Sequence, residues 1–297
     1  MPATQKIYLS QRLVASSGSP FLVGLIGAGI QASRTPGMHE REGAEHGLDY
    51  VYKLIDLEAR GLGVEELPEL LSEAERLGFN GLNITYPCKQ AVVAHLTDLS
   101  DDARALGAVN TVLLRDGRRF GFNTDWSGFA ESFRRGLPGV PLHKVVQLGA
   151  GGAGAATAHA ALQLEVGQLA LFDVEADRAR RLAAGLNAYF GEGRALAVTS
   201  LEAAMQDADG LIHATPRGMA NHPGLPLPAE LLRSTMWVAE IVYVPLETEL
   251  LRAARALGCR TLDGSGMAVF QAAESFRLFT GIVPDVGRMR QHFDLLP

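Results

Sequence analysis

The sequence has few cysteines, no long hydrophobic run and no excess of positive charge. Its two cysteines, Cys88 and Cys259, do not have the spacing of metal ligands, so we predict free thiols in a reducing compartment and no bound metal. The longest early apolar run, residues 21–30, is interrupted by glycines and is too short to span a bilayer. No compact basic segment leads into this run, which argues against a signal peptide. We therefore expect a soluble, cytoplasmic protein with no membrane partner.

The charge balance argues against a nucleic-acid partner. The chain has 27 Lys and Arg residues against 33 Asp and Glu residues, a formal charge of −6. A nucleic-acid-binding surface needs a basic footprint, whereas a small anionic substrate needs only a local basic pocket. Hydrophobic residues make up 47% of the chain and charged residues 20%, which is sufficient for well-formed cores. A length of 297 residues favours two domains.

Short apolar runs alternate with longer amphipathic stretches, and this alternation predicts parallel βαβ units. We find no internal repeat and no low-complexity tract. The predicted strands are residues 21–26, 50–55, 81–85, 144–148, 168–172, 210–214 and 237–242. The predicted helices are residues 38–47, 64–77, 126–135, 153–164 and 267–280.

Two glycine-rich turns match the dinucleotide-binding fingerprint. Gly27-Ala28-Gly29-Ile30-Gln31-Ala32 fits G-x-G-x-x-A, and Gly149-Ala150-Gly151-Gly152-Ala153-Gly154 fits G-x-G-x-x-G. A cofactor loop must open a helix, because the N–H groups at the helix start hold the pyrophosphate. Pro36 and Gly37 interrupt any helix that begins at Ile30, whereas an alanine-rich stretch follows Gly154. The second turn is therefore the predicted cofactor loop.

Asp173 bears on the choice between NAD and NADP. It directly follows the strand predicted at residues 168–172, where the fingerprint expects an acidic residue. A carboxylate there can accept hydrogen bonds from the ribose hydroxyls of NAD, but it repels the phosphate of NADP by about 4 kcal/mol at ~4 Å and an effective dielectric constant near 20. We therefore predict NAD rather than NADP. The alternative is that Asp173 only caps the following helix.

Polar residues cluster in four segments at or just beyond the ends of likely strands, the edge at which ligands bind in open α/β sheets. The segments are Ser33-Arg34-Thr35-Pro36, Asn83-Ile84-Thr85-Tyr86-Pro87-Cys88-Lys89, Gly107-Ala108-Val109-Asn110-Thr111 and Gly121-Phe122-Asn123-Thr124-Asp125. Each segment also has a simple structural interpretation. A lone lysine is usually solvated, an aspartate can cap a helix, and Ser, Thr and Asn are common in turns.

Taken together, these strings resemble the shikimate/quinate dehydrogenase family over residues 24–281. The resemblance implies an NAD(P)-dependent enzyme that acts on a CH–OH group and interconverts shikimate with 3-dehydroshikimate, quinate with 3-dehydroquinate, or both. It implies that Lys89 and Asp125 form the catalytic pair, and it leaves open which of them is the formal base. It assigns small-molecule substrate binding to Ser33, Thr35, Thr85, Asn110, Tyr243 and Gln271. It also assigns Gly264, at the start of the C-terminal motif, to the cofactor site.

The implied fold class is α/β, with two α/β domains and a cleft between them. Residues 1–125 plus 267–297 form a discontinuous substrate-binding domain, and residues 126–266 form a doubly wound, Rossmann-type NAD-binding domain. The resemblance leaves the oligomeric state open, a homodimer included. His159 and His213 are interpreted as packed or surface histidines, because no other ligand-spaced residues accompany them.

The sequence departs from the family pattern at three places. Thr35 stands where biosynthetic members usually have Ser, Asp173-Val174-Glu175 replaces the Asn-Arg-Thr string of NADP-binding members, and Gly27-Ala28-Gly29-Ile30 replaces a proline-containing turn. These differences favour a catabolic or secondary enzyme that uses NAD. The alternatives are a dehydrogenase of a shikimate analogue and a catalytically silent NAD-binding regulatory protein.

Overall fold

The computed structural model describes residues 20–295. The chain divides into two compact α/β units, one formed by Met1–Thr124 with Gln271–Pro297 and the other by Asp125–Phe270. Within the described residues, no helix is long and apolar enough to cross a membrane.

The N-terminal unit contains a six-stranded sheet, within residues 20–295, in the order β2-β1-β3-β5-β6-β4. Its strands are β1 (Phe21–Gly27), β2 (Tyr50–Asp56), β3 (Gly81–Ile84), β4 (Asp98–Leu99), β5 (Thr111–Arg115) and β6 (Arg118–Phe122). Its first helices are α1 (Thr35–Glu45), α2 (Leu57–Arg60), α3 (Leu67–Arg76) and α4 (Asp101–Leu106), with 3-10 turns at Val64–Glu66 and Ala91–His95.

Strands β1, β2 and β3 are parallel, as the alternation of apolar runs predicts. The sheet then continues with a hairpin, β5 and β6, that the sequence analysis did not include. Asp116 and Gly117 connect the two strands with φ values of 52° and 68°. An Asp-Gly pair with two positive φ angles is typical of a type I′ turn, so this dipeptide was the overlooked signal.

The hairpin determines which polar residues share an edge of the sheet. Strand β5 runs antiparallel to β3, with Asn83 opposite Thr111, and Thr111 is opposite Phe122 at the end of β6. The start of β5 therefore lies beside the ends of β3 and β6. Asn110 precedes a strand rather than follows one, yet it reaches the same edge as Thr85.

Helix α1 begins three residues before the predicted start, at Thr35 instead of residue 38. Pro36 lies in its first turn, where a missing backbone N–H costs nothing. The helix buries His39, whose Nδ1 lies 3.0 Å from the Tyr50 hydroxyl. Desolvation by burial lowers the pKa of His39 to about 3, so this histidine is a neutral core residue.

The second unit contains a six-stranded parallel sheet, within the described residues, in the order β12-β11-β10-β7-β8-β9. Its strands are β7 (Lys144–Leu148), β8 (Gln168–Phe172), β9 (Ala195–Ala197), β10 (Gly210–His213), β11 (Trp237–Glu240) and β12 (Arg260–Leu262). The helices that follow β6 in the chain are α5 (Thr124–Gly136), α6 (Gly152–Gln163), α7 (Ala176–Phe190), α8 (Leu201–Met205), α9 (Glu249–Ala256), α10 (Ser265–Thr280) and α11 (Val286–Leu295), with a 3-10 turn at Ala229–Leu231. Helix α10 ends in the N-terminal unit, which also contains α11.

The strand order reverses at β7, the first strand of this sheet, which lies between β8 and β10. This order is that of a doubly wound, Rossmann-type sheet, as predicted. Helix α6 packs against the sheet through its small side chains, and Ala156, Ala158 and Ala160 are fully buried. His159, on the same helix, is buried against Trp126, Tyr189 and Phe190, which confirms that it is a packed residue.

An ion pair joins α11 to α1 within the N-terminal unit. Arg288 Nε lies 2.7 Å from Glu42 Oε2, and Arg288 Nη2 lies 2.7 Å from Glu42 Oε1. The Asp285 backbone N–H and the His46 ring also contact the Glu42 carboxylate. Burial raises the pKa of Glu42, but the hydrogen bonds from Arg288, Asp285 and His46 outweigh it and hold this pKa below its ordinary value.

Candidate active site

The segment that carries Thr85 and Lys89 is fixed to its neighbours by backbone hydrogen bonds. The Thr85 N–H donates to the Ile26 carbonyl at 2.9 Å, and the Lys89 carbonyl accepts the Val109 N–H at 2.8 Å. Gly27 leaves room for the Thr85 side chain, since a Cβ at Gly27 would overlap Thr85 Cγ2. The ends of β1 and β3 and the start of β5 thus hold this segment at the carboxyl edge of the parallel strands.

Asn110 is buried and its side-chain amide is held on both sides. Its Oδ1 accepts the Thr124 N–H at 2.7 Å and the Thr111 hydroxyl at 3.0 Å, while its Nδ2 donates to the Thr124 hydroxyl at 2.9 Å. The amide therefore has one defined orientation. The residues before β5 and after β6 are joined through this side chain.

Asn83 and Tyr52 extend this polar network, and neither is among the site residues predicted from the sequence. The Tyr52 hydroxyl donates to Asn83 Oδ1 at 2.8 Å, and Asn83 Nδ2 donates to the Thr111 hydroxyl at 3.1 Å. Both residues are buried, and burial raises the pKa of Tyr52 well above its usual value, so its hydroxyl stays a donor. The available signal was an amide in the middle of an otherwise apolar strand. A buried amide requires partners, because an unpaired buried polar group costs about 1–3 kcal/mol.

Ser33 lies on the turn between β1 and α1, Thr35 is the first residue of α1, and both are half-buried. The Ser33 N–H donates to the Ile30 carbonyl at 3.0 Å, and the Thr35 N–H donates to Ser33 Oγ at 3.4 Å. The backbone N–H groups of Gly29 and Ile30 donate to the Asp56 carboxylate at 3.0 and 3.1 Å. The N–H groups that a phosphate would need at the first glycine-rich turn are therefore bonded to a side chain of the protein.

The second glycine-rich turn joins β7 to α6. Gly149 has a φ of +98°, which favours glycine, and a Cβ there would overlap the Ala214 carbonyl oxygen. A Cβ at Gly154 would overlap the Gly149 carbonyl oxygen, so the helix can approach the strand this closely only with glycine at that position. Gln147 stabilises the loop, because its Nε2 donates to the carbonyls of Gly149 and Gly154 at 2.9 and 2.7 Å.

The start of α6 is open. Gly151 is the N-cap residue and provides no side-chain hydrogen bond, and a Cβ at Gly151 or Gly152 would meet nothing within 4 Å. There is thus free space at the helix start, the end of a helix at which anions bind to backbone N–H groups. Ala150 and Ala153 are half-buried beside this space.

Asp173 follows β8 and folds back onto the glycine-rich turn. Its Oδ2 accepts the Ala150 N–H at 2.8 Å, and its Oδ1 accepts the Glu175 N–H at 2.8 Å. The N-cap residue of α7 is Glu175, so Asp173 is not the cap of that helix. The nearest arginine in the sequence, Arg178, forms an ion pair with Glu175 at 2.8 Å.

The remaining predicted site residues are distributed over both units. Asp125 is buried in the first turn of α5, and Tyr243 is exposed on the loop after β11. Gly264 lies between β12 and α10, where a Cβ would overlap the Ile241 carbonyl oxygen. Gln271 is half-buried on α10, within the part that belongs to the N-terminal unit.

His213 and Glu240 form a buried pair at the ends of β10 and β11, with 0% exposure of both side chains. His213 Nδ1 lies 2.9 Å from Glu240 Oε1. The same carboxylate accepts the Val242 N–H at 2.9 Å and the Thr248 hydroxyl at 3.1 Å, and Thr248 is the N-cap of α9. His213 is thus a packed histidine, as predicted. Among residues 20–295, no group of three or more His, Cys, Asp and Glu side chains could hold a metal ion.

Comparisons with known proteins agree with this architecture. Residues 25–112 match the family described as the shikimate dehydrogenase substrate binding domain, and residues 264–292 match the shikimate 5'-dehydrogenase C-terminal domain. The chain is 60% identical over 271 residues to a shikimate dehydrogenase (NADP(+)) of Streptomyces avermitilis, across 91% of this chain and 93% of that protein. It is 48% identical over 275 residues to a quinate/shikimate dehydrogenase (NAD(+)) of Corynebacterium glutamicum, across 92% of this chain and 97% of that protein.

A solved structure of quinate dehydrogenase from Corynebacterium glutamicum in complex with NAD superposes with a TM-score of 0.88 at 48% identity, and it covers 92% of this chain and 98% of that chain. The doubly wound sheet, its glycine-rich turn and these comparisons define an oxidoreductase that acts on a CH–OH group with a nicotinamide cofactor. The chain belongs to the shikimate dehydrogenase family.

Proposed function

We propose that the protein oxidises a ring hydroxyl of quinate or shikimate and transfers the hydride to NAD. The observation that carries the substrate part of this proposal is the hydrogen-bonded polar edge of the N-terminal sheet. Thr85 and the fixed amide of Asn110 lie there, and the backbone of Lys89 is bonded to the same edge. Neutral donors and acceptors beside a lysine suit a small polyhydroxylated carboxylic acid. In this proposal the unit Met1–Thr124 with Gln271–Pro297 binds the substrate, and the unit Asp125–Phe270 binds the cofactor.

Lys89 and Asp125 are the proposed catalytic pair. NAD, when bound, accepts the hydride that leaves the carbinol carbon. The hydroxyl proton must leave as the carbonyl forms, and a lysine beside the hydroxyl can take it or relay it. A neighbouring carboxylate can orient that lysine and balance its charge. Either member of the pair can serve as the formal base in this scheme.

The carboxylate of Asp173 supports NAD as the cofactor. It is held at the end of β8 by two backbone N–H groups, in the position from which a carboxylate can accept hydrogen bonds from the adenosine ribose. A phosphate on that ribose would meet this negative charge. The first arginine after Asp173 in the sequence, Arg178, is already engaged in an ion pair with Glu175. The named relatives include both NADP- and NAD-dependent enzymes, so this carboxylate is the basis of the choice.

Thr35 and the solved relative support quinate as a substrate. Thr35 lies in the first turn of α1, beside Ser33, and adds a methyl group to the hydroxyl that a serine would present. The relative at 48% identity and a TM-score of 0.88 is named a quinate dehydrogenase.

The test of the site is a set of matched variants assayed with NAD and each acid. Lys89→Met and Asp125→Asn should each lower kcat at least a hundredfold, because removal of a proton-transfer group costs 10²–10⁴ in rate. The matched control is Lys53→Met, an exposed lysine on β2, which should retain full activity. Full activity of the Lys89 variant would refute the proposed mechanism. NAD binding without turnover on either acid would favour a regulatory protein instead.

A further inference from the structure

The turn between β1 and α1 has little internal support. It begins after Gly27, the last residue of β1, and contains Gly29, which adopts a φ of +66°. The same turn carries Ser33, and Thr35 begins the helix that follows. Glycine raises the conformational freedom of a loop, so side chains that bind a ligand from such a turn need an external restraint.

Asp56 provides that restraint. It is the last residue of β2 and lies directly opposite Gly27, the last residue of β1. Its Oδ1 accepts the Gly29 N–H at 3.0 Å, and its Oδ2 accepts the Ile30 N–H at 3.1 Å. The Gln31 side-chain amide also donates to Oδ2, at 2.8 Å. A single buried carboxylate thus binds three consecutive residues of the turn.

The restraint reaches Ser33 and Thr35 through a short chain of hydrogen bonds. The Ile30 N–H donates to Asp56 Oδ2, and the Ile30 carbonyl accepts the Ser33 N–H at 3.0 Å. Ser33 Oγ in turn accepts the Thr35 N–H at 3.4 Å. Displacement of the Asp56 carboxylate would therefore loosen the two hydroxyls without removing either one.

Capping of helix α2 does not account for this arrangement. Asp56 is the N-cap residue of α2, and its Oδ1 accepts the N–H groups of Glu58 and Ala59 at 3.1 and 3.4 Å. Its Oδ2 bonds only to Ile30 and Gln31 among the contacts of the described residues. The hydrogen bond from Gln31 lowers the pKa of Asp56 and burial raises it, and with the backbone N–H groups the net direction is downward. The carboxylate therefore stays ionised and accepts from both sides.

We propose that Asp56 is a positioning residue that holds Ser33 and Thr35 in the arrangement that binds the substrate. This inference rests on the proposed function of Ser33 and Thr35. Asp56 does not touch the reacting atoms, and its effect should appear in substrate binding rather than in the chemical step.

The test compares Asp56→Asn and Gln31→Ala with the wild-type protein, using quinate, shikimate and NAD. Asp56→Asn replaces one carboxylate oxygen with an NH₂ group, which cannot accept the hydrogen bonds that the turn donates. The turn should therefore loosen, and the KM for the acid should rise about tenfold. Gln31→Ala removes one donor to Oδ2 and leaves the cap of α2 intact, so the same KM should rise about threefold. In both variants, kcat and the KM for NAD should stay within a factor of two of wild type. A merely structural role would lower the amount of folded enzyme and leave the KM for the acid unchanged, and that result would overturn the proposal.

Hydrogen exchange separates this inference from the proposed function. In Asp56→Asn, the backbone N–H groups of Gly29, Ile30 and Ser33 should exchange faster than in wild type, whereas those of β3 should not. Unchanged exchange at these three positions would refute the inference even if the wild-type protein oxidises both acids. Faster exchange together with no wild-type turnover would show that Asp56 restrains the turn but would refute the proposed function.

Discussion

Asp173 is the residue whose replacement should change the choice of cofactor. Its carboxylate is fixed by the Ala150 and Glu175 N–H groups, each at 2.8 Å, so it cannot turn away from a ligand without breaking both hydrogen bonds. A ribose phosphate about 4 Å away would be repelled by about 4 kcal/mol at an effective dielectric constant near 20. Screening by salt halves this to about 2 kcal/mol, which corresponds to a factor of roughly thirty in affinity.

The variant Asp173→Asn removes this charge and keeps an oxygen for the Ala150 N–H. NADP should then gain roughly thirtyfold in kcat/KM, and NAD should lose roughly fivefold because a hydrogen bond to a charged acceptor becomes one to a neutral acceptor. The ratio of the two kcat/KM values should therefore shift by on the order of a hundredfold toward NADP. The matched control is Glu202→Gln, which removes an exposed carboxylate from α8 of the same unit. An unchanged ratio in Asp173→Asn, or an equal shift in the control, would refute the electrostatic reasoning.

Three further predictions concern the fold that supports the site. Gly154→Ala should raise the Kd of NAD about tenfold, because the added methyl group forces α6 away from the Gly149 carbonyl. The control Gly185→Ala has free space around its Cβ and should leave this Kd unchanged. Equal Kd values for the two variants would contradict the close-packing argument. Glu240→Ala should lower the free energy of unfolding by about 3–5 kcal/mol in urea titrations, because His213 and Thr248 stay buried without their acceptor. A decrease of less than about 1 kcal/mol would contradict this prediction. The folded-state pKa of Glu42 lies below its ordinary value of 4.5, so its stabilising contribution is complete above that pH and is lost as the pH falls through the lower value. The Tm difference between wild type and Glu42→Gln should therefore shrink below pH 4.5, and a constant difference down to strongly acid pH would count against this ion pair.

Much of the fold could be predicted because its elements follow local patterns. The strands of the doubly wound sheet are short apolar runs, and β7 and β8 match the predicted bounds. The hairpin of β5 and β6 was overlooked because its strands lie among polar segments whose residues were interpreted as candidate site residues. The Asp116-Gly117 turn was the local signal that could have identified it.

The candidate site was predictable where a motif specifies a backbone shape. The glycine-rich turn and Asp173 follow from the spacing of a strand, a tight turn and a helix. Tyr52 and Asp56 could not be found this way, because their roles depend on which residues become neighbours in the folded sheet. Tyr52 reaches Asn83 across 31 residues of sequence, and Asp56 reaches Gly29 across 27. These residues become neighbours because β1 pairs with both β2 and β3 in the folded sheet.

The most direct test of the proposed function is the initial rate of nicotinamide reduction by the wild-type protein, measured for NAD and NADP with quinate and with shikimate. The proposed function predicts turnover of at least one acid with a higher kcat/KM for NAD than for NADP, because the Asp173 carboxylate can accept hydrogen bonds from the ribose of NAD and would repel the phosphate of NADP. A preference for NADP would contradict the role of Asp173, and the absence of turnover with both acids and both cofactors would contradict the proposed function itself.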